Sequence, residues 1–286
     1  MKLKKSKKNN KKLKVKKTIK KGGNMDNLLI CIAFHYDIDP TGIRKKEDRY
    51  NYIKTLLDNF IKNYKIPIHI IIDTNSDDAN KLLLDDYKND IEKKTIEIHV
   101  HKVLEHRFDL TWKHREHCKN NFDKYTNFMY VEDDVKIPYT HYLKYMENLN
   151  ILWPEYVPTF IRIAINHKDN NMHAINLPKT TKLKNENIIT KNNKKFIELK
   201  QPHPAYSACW ILPMKYIKEN LSDAFFKIPV AEWNYRETAA SFPTWQMNKI
   251  GLVELDNNNN IIEEMYITHL SDDKGQFPLV KNILEK

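Results

Sequence analysis

The chain has 286 residues, 41% of them hydrophobic and 11% aromatic, which excludes a disordered polymer and allows a sizeable core. Its net charge of +11 is concentrated at one end: residues 1–21 hold twelve lysines and no acid, and without them 36 basic residues face 37 acidic ones. A body this close to neutrality excludes the extended basic groove of a nucleic-acid-binding domain.

Residues 1–24 form a Lys/Asn-rich tail ending at Gly22-Gly23, and self-repulsion with little apolar surface predicts disorder. Such a tail suits an anionic partner (RNA, an acidic membrane face, a localisation receptor), or is a solvated extension. No apolar segment of signal-peptide type follows it, and no later run reaches the roughly 18–20 apolar residues of a membrane span. Three widely spaced cysteines, Cys31, Cys118 and Cys209, form neither a disulfide framework nor a zinc knuckle. A reducing, cytoplasmic location is the expectation.

From Met25 strands and helices alternate. Asn27–Phe34 is a continuous apolar run, the pattern of a strand buried on both faces. Lys46–Tyr64 places Tyr50, Ile53, Leu56, Leu57, Phe60, Ile61 and Tyr64 at helical spacing. Ile66–Ile72 reads as a second buried strand ending in Asp73, Ala79–Tyr87 as a short helix, and Thr95–Val103 as a half-exposed strand. Leu110–Tyr125 is expected to be helical with Asp109 as its N-cap. Phe128–Val131 is a fourth strand, and it runs straight into Glu132-Asp133-Asp134.

Beyond the triplet, Tyr139–Leu152 reads as a helix stopped by Pro154, and Thr159–Ile165 as a strand. Residues 166–196 are polar, Asn/Lys-rich and without a clear period, and are expected to be a surface excursion. Tyr206–Leu212 is a buried strand, with a short helix after Pro213 and another over Ala231–Ser241. Gly251–Leu255 and Ile261–Thr268 flank Asn257–Asn260 as a hairpin. This order predicts an α/β fold with a mostly parallel sheet flanked by helices and a less regular C-terminal half. One domain is expected over residues 25–286, in two halves, 25–135 and 136–286.

Ligands of such sheets bind at the carboxyl ends of the strands, where Tyr36, Asp73 and the acidic triplet fall. Three adjacent acids repel one another unless neutralised, and hard divalent cations such as Mg²⁺ or Mn²⁺ do so through carboxylate oxygens. A solvated strand exit is the competing reading.

The order of elements and the E-D-D triplet at a strand end resemble nucleotide-sugar-dependent glycosyltransferases of the GT-A, or Rossmann-like, fold. The resemblance covers residues 27–135 well and the rest loosely, and the triplet opens with Glu132 where D-x-D has Asp. It implies a nucleotide-sugar-binding first half and an acceptor-binding second half. It also implies a divalent cation, Mn²⁺ or Mg²⁺, on Asp134, with Glu132 or Asp133 on the sugar or ribose, and a late histidine, here His269, completing the metal site. Tyr36 would stack on the nucleobase and Asp73 would accept from base or ribose; a turn or helix cap is the alternative for Asp73. The donor implied is a nucleoside-diphosphate sugar, UDP-sugar first, and the acceptor a hydroxyl of a glycan, protein or small molecule.

Chemistry adds further candidates. Arg107, Lys113 and Arg115, just before the acidic strand, are cations suited to a diphosphate, or members of a solvated helix face. A general base for the acceptor hydroxyl is sought in Glu232 and Glu237, which stand roughly 140° apart if that segment is helical. Glu237 is preferred because Arg236 precedes it and the small Ala239 and Ala240 follow. His203, Tyr206 and Trp210 are candidates for the acceptor site, since aromatics stack on sugars, although they also suit a core. A zinc site from His99, His101, His114, His117 and Cys118 lacks paired cysteines or H-E-x-x-H. A sugar nucleotidyltransferase, a catalytically inactive GT-A-type binding protein and a nucleic-acid-binding protein using the tail remain as alternatives. The first would carry a Gly-rich phosphate loop, and after Phe34 there is only Gly42.

Overall fold

The computed structural model describes residues 26–36, 45–106, 108–166, 171–175, 177, 187–199, 206–222, 225–227, 235–271 and 279–280. The Lys-rich tail and the candidates Arg107, His203 and Glu232 lie outside the described residues. The first half runs β1 (Leu28–Phe34), α1 (Lys46–Asn63), β2 (Ile68–Thr74), α2 (Asp77–Asp86), α3 (Lys88–Glu92), β3 (Ile96–Val100), a 3₁₀ turn at Asp109–Trp112, α4 (His114–Asn120) and β4 (Asn127–Glu132). It continues through β5 (Val135–Lys136), α5 (Tyr139–Leu152), β6 (Tyr156–Pro158), β7 (Ile161–Asn166), β8 (Asn171–Ala174), β9 (Ile188–Lys191) and β10 (Lys194–Glu198). Last come β11 (Cys209–Pro213), α6 (Met214–Glu219), α7 (Tyr235–Ala239), β12 (Ile250–Leu255) and β13 (Tyr266–His269).

The expected α/β architecture with a mostly parallel sheet is what forms. Five strands lie in the order β11-β4-β1-β2-β3, all parallel except β11, which runs antiparallel to β4 at the edge. Every residue of β1 and β4 is buried, as befits central strands covered on both faces. Helix α1 buries Ile53, Leu56, Leu57 and Phe60, each contributing about 1.5–3 kcal/mol. The chain leaves β1 toward β2 and β3, then returns to β4 on the other side of β1. Strand order therefore reverses between β1 and β4, and the crevice at such a reversal is where α/β sheets take ligands. Ala33 stands level with Glu132, so the exits of both strands share that crevice.

The second half builds two further four-stranded sheets, β6-β12-β10-β9 and β5-β13-β7-β8. The surface excursion expected over 166–196 is corrected: it contains β8 and β9 and enters β10. Its Asn/Lys text conceals a hairpin, since Asn192 and Asn193 turn between β9 and β10 with φ of 50° and 62°. Two successive positive φ values are what a tight hairpin requires, and Asn tolerates them. The hairpin expected around Asn257–Asn260 is also corrected. β12 pairs with β6 and β10, whereas β13 pairs with β5 and β7, and a single bridge, Leu255 with Ile261, joins the flanks. Asp109 does not cap a long helix, because the segment breaks into the 3₁₀ turn and α4, and its carboxylate accepts from the His106 amide at 2.9 Å. The three cysteines are free and buried, and among the described residues no helix is long and apolar enough to cross a membrane.

Candidate active site

β4 delivers the acidic triplet to the crevice, where Glu132, Asp133 and Asp134 are 7%, 4% and 4% exposed. The solvated strand exit therefore does not apply. Buried carboxylates demand partners, and the chain brings them from distant segments.

Arg49, in the first turns of α1, is the partner that sequence reading missed. Its Nη2 lies 2.9 Å from Asp133 Oδ2 and its Nη1 3.8 Å from Asp134 Oδ2, while its Nε donates to the His35 carbonyl at 2.9 Å. The guanidinium thus ties the exit of β1 to the triplet. Burial opposes its charge, but Asp133, Asp134 and Glu132 together outweigh burial and raise its pKa. A signal was available: α1 follows β1 directly, so its first turns face the carboxyl edge of the sheet, and Arg49 is the cation there that carries a planar fork.

His269, at the end of β13, is brought to the same place. Its Nε2 lies 3.3 Å from Asp134 Oδ2, and its Nδ1 is 2.7 Å from Ser271 Oγ. The position is set by backbone pairing of His269 with Val135 and by the Leu270 amide, which donates to the Asp134 carbonyl at 2.8 Å.

Glu132 faces the other way. The Tyr206 hydroxyl donates to its Oε1 at 2.5 Å, and Arg236 Nε is 3.9 Å from the same oxygen. The Arg162 guanidinium lies over the Tyr206 ring at 4.5 Å. Two residues after Tyr206, Ala208 takes a φ of 55°, a conformation costing about 1–2 kcal/mol for a residue with a Cβ. Glu237 is half-buried on α7, 3.3 Å from Arg236 Nη2.

Other candidates fall elsewhere. Arg115 as a diphosphate contact is corrected: it is 2% exposed, and its guanidinium donates to the carbonyls of Phe225 (2.8 Å), Ala239 (3.2 Å) and Thr238 (3.4 Å) and to Gln246 Oε1. Packed among Trp112, Phe225 and Phe242, it joins α4 to α7, and burial pulls its pKa down to about 9. Trp210 as an acceptor platform is likewise corrected, since it is 2% exposed among His114, Phe128 and Phe242. Tyr206 as a stacking surface is corrected in part, because Arg162 covers its ring.

Asp73 as an acceptor for base or ribose meets a similar objection. Its Oδ1 already receives His101 Nε2 at 2.7 Å and His117 Nε2 at 3.0 Å, and the residue is 1% exposed. Burial works against its ionisation, but the two imidazoles outweigh burial and lower its pKa. Tyr36 is buried, edge-on to Phe34 at 5.8 Å, with Lys46 Nζ 5.0 Å from its ring. Lys113 is half-buried where the 3₁₀ turn meets α4.

Among the described residues, no three His, Cys, Asp or Glu side chains form a ready-made metal cage. A smaller donor set does fit a cation. Adjacent ligands of a six-coordinate ion at 2.0–2.2 Å stand about 3 Å apart, and one carboxylate plus substrate phosphates and water is a common Mg²⁺ or Mn²⁺ arrangement. Asp134 Oδ2 and His269 Nε2, 3.3 Å apart, meet that spacing.

No protein-family model and no curated protein matches the sequence. Among solved structures, that of GalNAc-T7 with UDP, GalNAc and Mn²⁺ is similar at a TM-score of 0.48 and 11% identity, over 88% of this chain and 44% of that one. A 4-diphosphocytidyl-2C-methyl-D-erythritol synthase from Anaerococcus prevotii DSM 20548 is similar at 0.41 and 11%, over 83% and 90%. A CMP:2-keto-3-deoxy-manno-octonic acid synthetase complexed with CTP follows at 0.40 and 8%, over 79% and 88%. The chain spans less than half the length of the first, and likenesses this distant carry no functional argument.

Proposed function

We propose that the chain is a divalent-metal-dependent glycosyltransferase of GT-A type, moving a sugar from a nucleoside-diphosphate sugar, UDP-sugar first, to a hydroxyl acceptor. The observation that carries this reading is the meeting of Asp134 and His269, 3.3 Å apart, beside a buried acidic triplet at the reversal of strand order.

In this reading Asp134 and His269 hold Mn²⁺ or Mg²⁺. The cation would act as a Lewis acid on the departing diphosphate. The chain supplies the rest. Asp133, braced by Arg49, and Glu132, braced by Tyr206 and Arg236, are fixed acceptors for hydroxyls of the ribose or donor sugar. Arg236 is half-exposed and sits between Glu132 and Glu237, where it can meet an anionic donor on one side and orient a carboxylate on the other. Glu237 is the group placed to take the acceptor hydroxyl proton.

The test is thermal unfolding with UDP, with and without Mn²⁺, since a ligand of the native state raises apparent stability. UDP is expected to raise the midpoint only with Mn²⁺, and Asp134→Asn or His269→Ala to remove that rise. An unchanged rise in Asp134→Asn would show the metal assignment to be wrong. Pyrophosphate release from a nucleoside triphosphate, in place of UDP release from UDP-sugar, would replace the transferase with a nucleotidyltransferase.

A further inference from the structure

Arg49 and His269 approach the same atom. Asp134 Oδ2 lies 3.3 Å from the imidazole nitrogen and 3.8 Å from the guanidinium nitrogen. Arg49 is held there by more than charge, because its Nε is bonded to the His35 carbonyl and its side chain is only 12% exposed. Arg49 ion-pairs with Asp133 and Asp134, while Arg236 is shared between Glu132 and the nearer Glu237. Arg49 thus places a fixed positive charge 3.8 Å from the very oxygen the cation would use. A nucleoside diphosphate brings two or three negative charges, which offset the guanidinium and add ligands for the cation.

From this we infer that Arg49 makes firm binding of the cation depend on the diphosphate. Its guanidinium weakens the hold of Asp134 on a lone divalent cation, so the cation is held firmly only together with the diphosphate. The inference rests on the metal reading above. It gives Arg49 a positioning role: it acts through Asp133 and Asp134 and not on the reacting sugar. A neighbouring charge typically shifts a protonation equilibrium by about ten- to a thousandfold, and the same field acts on a cation at that carboxylate.

The experiment counts free Mn²⁺ by electron paramagnetic resonance during titration of the 286-residue chain, with and without UDP. Wild type is expected to bind Mn²⁺ weakly alone and at least about tenfold more tightly with UDP. Arg49→Gln removes the charge but keeps a donor for the His35 carbonyl, and it is expected to bind Mn²⁺ alone at least about tenfold more tightly than wild type. Arg49→Met, neutral by a different chemistry, is expected to agree, so one folded neutral variant suffices. Arg49→Lys, which keeps the charge, is expected to stay near wild type. Equal Mn²⁺ affinity of wild type and the neutral variants without UDP, including no binding by either, overturns the inference. Asp134→Asn in the Arg49→Gln background separates the two layers: Mn²⁺ binding that survives it removes the metal reading itself.

Discussion

Two acidic strand ends stand level with Ala33, one on each side of it: Asp73 on β2 and Glu132, which opens the triplet, on β4. Both are buried at the carboxyl edge of the same sheet, yet the chain treats them differently. Asp73 receives two imidazoles on one oxygen, from the end of β3 and from α4. Those partners lie on the elements packed beside it, and they saturate the oxygen they meet. The triplet is met by groups from α1, α7, β13 and the approach to β11, each engaging one or two oxygens. A buried acid at a strand end is therefore not by itself a sign of a ligand. On the proposed reading, what separates the brace at Asp73 from the triplet is that neighbouring elements close the one and remote segments hold the other in place.

Arg115 joins the two regions, since α4 carries His117 and α7 carries Arg236 and Glu237. The largest effect is expected there. Arg115→Met keeps the volume but strands the carbonyls of Phe225, Thr238 and Ala239, and should cost about 3–5 kcal/mol. Urea unfolding would show a lower midpoint with an unchanged slope. A loss under about 1 kcal/mol would mean the two regions are not held together through this side chain.

Asp73→Asn tests the brace directly, and pH separates its parts. The Asp73 pKa is lowered in the folded state, so its contribution is present above the unfolded value of about 4 and lost as pH falls through the folded one. His117 is pushed the other way: burial lowers its pKa, but the hydrogen bond and charge of Asp73, together with Glu116 and Glu97, outweigh burial and raise it. Its contribution is full below about pH 6.5 and lost as pH rises through the folded value. The deficit of Asp73→Asn should therefore peak between about pH 4 and 6.5, at about 2 kcal/mol, and shrink by pH 8.5. A deficit that is flat with pH would remove the imidazoles from the account. An equal dependence in Asp134→Asn would erase the contrast between the two strand ends.

The contrast also explains what could be read in advance. Continuous apolar runs such as LLICIAF announced β1, and the abrupt arrival of three acids after β4 announced the crevice. His269 was legible only by family likeness, because nothing local says that β13 pairs with Val135 and so lies beside Asp134. Arg49 was hidden in Lys45-Lys46-Glu47-Asp48-Arg49, where charges look like an ordinary solvated first turn. Arg115 misled for the opposite reason: a cation in a basic segment suggests solvent or phosphate, yet aromatic neighbours and carbonyls accept it in the core. The strands β8 to β10 were hidden because half-buried Asn and Lys residues dilute the apolar pattern, leaving Phe196 and Ile197 as the only apolar pair in β10.

The smallest effect sharpens the comparison most, because it asks whether the triplet is held as tightly as Asp73. Tyr206→Phe keeps the ring beneath the Arg162 guanidinium and removes only the hydroxyl that donates to Glu132. Glu132 keeps Arg236, so the expected loss is about 1 kcal/mol, below that of Asp73→Asn. A double-mutant cycle with Glu132→Gln isolates the pair, and groups in one network typically couple by about 0.5–3 kcal/mol. Coupling in that range means Glu132 is fixed before any ligand arrives, which is what a pre-arranged acceptor of hydroxyls requires. Additive losses would mean the hydroxyl and the carboxylate are neighbours without consequence.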